Sequence, residues 1–137
     1  MPLSALESRL SALPRVGIVL VHFNGSRDLS CCLESLRGLD YPNFFIVVVD
    51  NASSAQEAAL ARAAVSQMPA KLACSYVYSP DNRGFAAGNN IGIQHARALD
   101  AQAVWLLNPD TVVEPMALDA LVSAYKDSPS SVFGSKV

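Results

Sequence analysis

Residues 16–23 read VGIVLVHF, residues 44–49 read FFIVVV and residues 103–107 read AVWLL. Each is a short, uninterrupted apolar run, the pattern of a strand buried on both faces. Each ends on turn residues: Asn24-Gly25, Asp50-Asn51 and Asn108-Pro109-Asp110-Thr111. Residues 72–78 read as one more strand, closed by the polar loop 79–85. Between the runs the period changes. Leu29, Cys32, Leu33 and Leu36 recur at helical spacing, and Gly38 stops that helix before the turn at Tyr41-Pro42-Asn43. Ser54 with Glu57 fits a capping box that opens an alanine-rich helix running to about residue 67. Residues 87–99 form the next helix, and the last begins near Pro115, with Leu118, Leu121, Val122 and Tyr125 on one face. Val132-Phe133-Gly134 is expected to begin a fifth strand. Strands alternating with helices predict an α/β fold: a Rossmann-like parallel sheet of four to five strands with helices on both faces.

Bulk properties narrow the function. With 51% hydrophobic and 16% charged residues in 137, the chain has a buried core and is not a disordered segment. A net charge of -2 gives no basic field for nucleic acid. No apolar run approaches the roughly 20 residues that span a bilayer. Residues 1–14 read as a short leading helix without the charge pattern of a signal peptide, so a cytoplasmic location is expected. Cys31, Cys32 and Cys74 are odd in number and lack C-x-x-C spacing, so they read as buried free thiols.

The polar residues carry the functional signal through their position. Asn24 and Gly25; Asp50, Asn51, Ala52 and Ser53; Asp81, Asn82, Arg83 and Gly84; and Asn108, Pro109 and Asp110 each follow a strand. In open α/β sheets, ligands bind outside the carboxyl ends of the strands. A carboxylate beside a diphosphate repels it unless a divalent cation intervenes, and Mg²⁺ and Mn²⁺ are often held by one or two carboxylates plus substrate phosphates. Asp110 therefore reads as a metal ligand, and Asp50 as an acceptor for base or ribose donors. Turn-capping is the ordinary alternative for both. His22, near the end of a buried strand, reads as a satisfied core histidine; helix N-capping is the ordinary alternative for Asn89 and Asn90; His95 receives no role; Trp105 reads as core. Neither a G-x-G-x-x-G nor a P-loop follows the first strand, and HFNGSRD lacks the glycine-rich loop of a nucleotidyltransferase.

Together the segments VGIVLVHFNG (16–25), IVVVDNASS (46–54), SPDNRGFAAGNNIGI (79–93) and VWLLNPDTVVEP (104–115), with Cys32, Leu33, Ser35 and Leu36 between them, resemble family-two glycosyltransferases of the GT-A fold, most closely their rhamnosyltransferase-like branch. The resemblance covers residues 15–127 and makes residues 15–137 the nucleotide-sugar-binding part of such a domain. It implies inverting transfer of a sugar, rhamnose by branch, from a dTDP- or UDP-sugar to a saccharide or lipid-linked acceptor in bacterial surface polysaccharide synthesis. Asp50 would contact the nucleobase. The family's D-x-D metal motif appears as Asn108-Pro109-Asp110, so Asp110 keeps the divalent cation (Mg²⁺ or Mn²⁺) while Asn108 bonds the ribose. Asn82, Arg83 and Gly84 would line the donor pocket beside Asn24 and Asn51, and Asn90 would contact ribose or hold its loop. The family's general base lies beyond the metal motif, so it is expected past residue 137. A non-catalytic nucleotide-sugar-binding module is the alternative. A sheet ending here is also expected to self-associate through its open edge, and a longer chain acting on a lipid-linked acceptor to sit at the inner face of the membrane.

Overall fold

The structure, a computed structural model, describes residues 2–133. Its elements are α1 (Leu3–Ala12), β1 (Val16–His22), α2 (Ser26–Leu36), β2 (Phe44–Asn51), α3 (Ala55–Ser66), β3 (Cys74–Ser79), α4 (Phe85–Ala98), β4 (Ala103–Leu107) and α5 (Ala117–Asp127). The four strands form one parallel sheet in the order β3-β2-β1-β4. All of β1 and nearly all of β2 are buried, as their unbroken apolar runs require.

The order reverses at β1. From β1 the chain steps outward to β2 and β3, then returns across the sheet to β4. Right-handed crossovers then put α2 and α3 on one face and α4 on the other, and the core divides accordingly. Leu29, Cys32, Leu33 and Leu36 of α2, Ala61 of α3, and Leu118 and Val122 of α5 pack with Ile18, Leu20, Ile46 and Val48. Ala96 of α4 packs with Val19, Phe45, Val47 and Val49 on the opposite face.

Helix α4 lies unusually close to the sheet. A Cβ added to Gly88 would come within 2.7 Å of Val21 Cγ1, and one added to Gly92 within 2.2 Å of Val19 Cγ1. One added to Gly17 would stand 2.8 Å from Ala96 Cβ. Small residues therefore meet β1 along one helical ridge, and this contact fixes where the N-terminus of α4 sits relative to the end of β1.

Three expectations shift. β3 starts at Cys74, because the Leu72 N–H bonds Pro69 O in a turn and the sheet begins where Ile46 N–H meets Ala73 O. α4 starts at Phe85, which places Asn89 and Asn90 inside the helix and makes Gly84 its N-cap. Val132 and Phe133 are not in a strand, and Gly134 lies outside the described residues.

Candidate functional site

The loops after β1, β2 and β3 are knitted by hydrogen bonds across about thirty residues of sequence. Asn24, in the left-handed region at φ 48° that Asn tolerates, accepts from Ser54 N through Oδ1 (2.8 Å), and its own N–H donates to Ser53 Oγ (2.9 Å). Asn51 Nδ2 donates to Asn82 Oδ1 (3.0 Å) and to Gly84 O (3.2 Å). Asn82 Oδ1 also accepts from Gly84 N (3.0 Å). Gly84 sits at φ 94°, ψ 174°, a conformation essentially reserved for glycine.

Asp50 is completely buried. Oδ1 accepts from Ser53 N (2.8 Å) and Oδ2 from Tyr76 Oη (2.5 Å). Burial and this bond to Asp50 push the Tyr76 hydroxyl well above its ordinary range. Asp50 therefore lies beneath the edge, anchored to the next loop residue and to β3. A carboxylate with no exposed surface and both oxygens engaged shapes the turn 50–54 from behind.

His22 corrects the reading of a satisfied core histidine, since it is fully buried but neither ring nitrogen has a hydrogen-bond partner. The capping box is half formed. Ser54 Oγ accepts from Glu57 N (3.3 Å), whereas the Glu57 carboxylate turns to α2 and accepts from Ser26 N (2.9 Å). The N-cap of α2, Gly25, has no side chain to offer, so a carboxylate from α3 caps that helix and favours its positive end. The hydrogen bond from Ser26 N holds Glu57 below the usual carboxylate range.

The loop after β4 is fastened separately. Thr111 N–H closes a turn on Asn108 O (3.1 Å), Val113 N–H donates to Ser35 Oγ of α2 (3.1 Å), and Asp40 N–H to Pro115 O (2.9 Å). Asn108 and Asp110 are exposed on this loop, next to β1 in the sheet. Arg83 is also exposed, 3.9 Å from the exposed Asp81 carboxylate. Asn90 is exposed on α4, whereas Asn89 is buried. α4 has no side-chain cap, so the N–H groups of its first turn are available to an anion at the same edge.

The nine residues singled out in sequence thus divide. Asn82, Arg83, Gly84, Asn90, Asn108 and Asp110 are exposed around the sheet's carboxyl edge. Asn24 is exposed but bonded to the β2 loop, and Asp50 and Asn51 lie beneath the surface as scaffolding. Tyr76 had no signal beyond an aromatic in a strand, and Glu57 none beyond the capping box of its own helix, because their actual partners are remote in sequence. Among the cysteines, Cys31 is exposed, contrary to expectation. Burial pushes Cys32 up to about 11 and Cys74 up to about 12, so neither is a reactive thiolate. A groove of about 300 Å³ between α2 and α3 passes Arg27, Leu60 and Gln67, and none of the nine site residues lines it.

The fold has relatives. The mannosyltransferase PcManGT from Pyrobaculum calidifontis, solved with GDP-Man and Mn²⁺, superposes with a TM-score of 0.71 at 27% identity, over 85% of this chain and 33% of that one. S. aureus TarS in complex with UDP-GlcNAc superposes at 0.71 over 90% of this chain and 36% of that one; at 19% identity this likeness concerns the fold alone. The low-salt glycan biosynthesis hexosyltransferase Agl10 of Haloferax volcanii is 24% identical over 126 residues, 91% of this chain. The chain spans 37% of that relative's length. The model of the family described as Glycosyl transferase family 2 matches residues 17–137, and the chain belongs to that family.

Proposed function

We propose that this chain is the donor-binding part of an inverting, divalent-cation-assisted glycosyltransferase. It would take a sugar from a nucleoside diphosphate to a saccharide or lipid-linked acceptor. The observation that carries the reading is the gathering of four strand-end loops at the point where the strand order reverses, with Asn108 and Asp110 exposed there. The nucleotide-sugar complexes of the structural relatives support it.

Asp110 suits the cation. It is an exposed carboxylate, the hard oxygen donor that Mg²⁺ and Mn²⁺ take. Among the described residues, no group of three or more His, Cys, Asp and Glu side chains is placed to hold a metal ion unaided. Asp110 would therefore share the ion with the donor's phosphates. When bound, the ion offsets the negative charge that gathers on the departing diphosphate. Arg83 and the uncapped N-terminus of α4 add positive potential beside those phosphates. Asn108 bonds the ribose, and the base lies over the turn that Asp50 shapes. Phe23, half exposed beside Asn24, offers the base an apolar face. Rhamnose carried on dTDP is the donor favoured by the Asn-Pro-Asp-Thr segment, with UDP as the other nucleotide. The general base is assigned to no residue of this chain.

Calorimetric titration of dTDP and UDP with Mn²⁺, with Mg²⁺ and with chelator tests the reading, alongside Asp110→Ala. Binding should require the metal and fall in the variant to the level seen with chelator. Asp110→Ala binding the nucleotide as tightly as the wild type in Mn²⁺ would remove Asp110 from the site.

A further inference from the structure

His22 closes β1, directly beside Asp50 of β2 in the sheet register. Its ring has no exposed surface and no hydrogen bond, and Nε2 lies 3.9 Å from Asp50 Oδ2. Burial pushes its pKa below the ordinary value against the opposing pull of Asp50 and Glu57. The ring is therefore neutral at pH 7 and carries one N–H and one lone pair. Leaving a buried polar group unpaired is costly, so a position that served packing alone would be better filled by an apolar side chain.

The groups facing the imidazole are few. Asp50 comes from β2, with Tyr76 of β3 bonded to it, and Glu57 comes from α3. Asp50 Oδ2 already accepts from Tyr76, but a carboxylate oxygen has room for a second donor. A movement of about 1 Å would bring Nε2 into hydrogen-bond range. Asn24, two residues beyond His22, is tied to Ser53 and Ser54, and Ser53 is tied to Asp50. Any ligand that draws the β1 and β2 loops together acts on this same pair.

We propose that His22 is a positioning residue of the donor site. With nucleotide bound, its Nε2–H donates to Asp50 Oδ2 and holds the turn 50–54, with Asn24 attached to it, in the binding shape. The proposal rests on the donor-site reading given above.

The test combines His22→Leu, which keeps apolar volume and removes the donor, with His22→Gln, whose amide can donate from near the Nε2 position. Titration with UDP and dTDP in Mn²⁺ is read beside ¹⁵N spectra of the imidazole and of the Asn24, Ser53 and Ser54 amides. The Leu variant should stay folded yet bind at least about tenfold more weakly, as loss of a hydrogen bond to a charged group implies. The Gln variant should recover most of that loss. In the nucleotide-saturated wild type the proton should reside on Nε2. A folded Leu variant with wild-type affinity and unmoved amides overturns the proposal, as does a proton on Nδ1 in the bound wild type, which can be read even if the Leu variant fails to fold. A wild-type chain that binds neither nucleotide would instead sink the donor-site reading, and this proposal with it.

Discussion

Gly92→Ala puts a methyl group where α4 meets β1. The added Cβ would lie 2.2 Å from Val19 Cγ1 and 3.2 Å from both Val19 Cγ2 and Val49 Cγ2. Ordinary carbon contacts need about 3.5–4.0 Å, so one side must move by more than about 1 Å. Val19 and Val49 are fully buried, and a β-branched side chain in a packed strand has no spare rotamer to retreat into. The helix must therefore lift off the sheet, and an overlap this deep falls in the upper part of the overpacking range, about 2–3 kcal/mol. Alanine's higher helix propensity returns about 1 kcal/mol. The net expectation is a loss of about 1–2 kcal/mol, with the steric effect dominating. In urea unfolding this lowers the midpoint by roughly 0.5–1 M at an unchanged slope, for a slope near 2 kcal/mol/M. Adding Val19→Ala should recover part of the loss, so that the double variant costs less than the sum of the singles. An unchanged or raised midpoint for Gly92→Ala would show that propensity prevails, and would refute the close α4–β1 approach on which the position of residues 84–90 depends.

Two further predictions concern the same edge. Gly84→Ala meets no atom within 4 Å, so its cost is conformational alone: about 1–3 kcal/mol for holding a side chain at φ 94°; an unfolding midpoint equal to wild type would show that the N-cap relaxes freely. Acid should weaken the fold in two steps. The folded pKa of His22 is depressed, so its contribution is complete above the unfolded value of 6.5 and fades as pH falls through it, the unfolded chain then binding the extra proton. The depressed Glu57 keeps its contribution above 4.5 and loses it below, as the carboxylate capping α2 becomes protonated. Unfolding midpoints measured from pH 2.5 to 8 should rise toward neutrality, the upper step vanishing in His22→Leu and the lower in Glu57→Gln; a flat profile would contradict both assignments.

The framework was legible from short windows. The runs at 16–22 and 44–49 are strands buried on both faces, as a continuous apolar stretch requires, whereas the run at 103–107 forms the edge strand β4, only partly buried and with Leu106 exposed. The helix through Leu29, Cys32, Leu33 and Leu36 buries those four residues. The clustering of polar residues after strands also located the edge, since each loop is a contiguous word in the sequence. The start of α4 was misjudged because Gly84 caps it through a backbone conformation, with Asn51, thirty-three residues earlier, bonding its carbonyl.

The sequence by itself therefore determined the strand and helix order, the parallel sheet and the list of residues that reach its carboxyl edge, because periodicity and turn chemistry act over a few neighbours. Only the tertiary structure decided which of those residues face outward. It closed Asp50 behind Tyr76, spent the Asn24 carbonyl on Ser54, turned Glu57 from its own helix to α2, and left His22 without a partner. The three bonds among these are choices between acceptors and donors that adjoining strands, their loops and the helices on them bring together from about thirty residues apart. No local propensity encodes that choice, since a buried polar group takes whichever partner the packed sheet puts within reach.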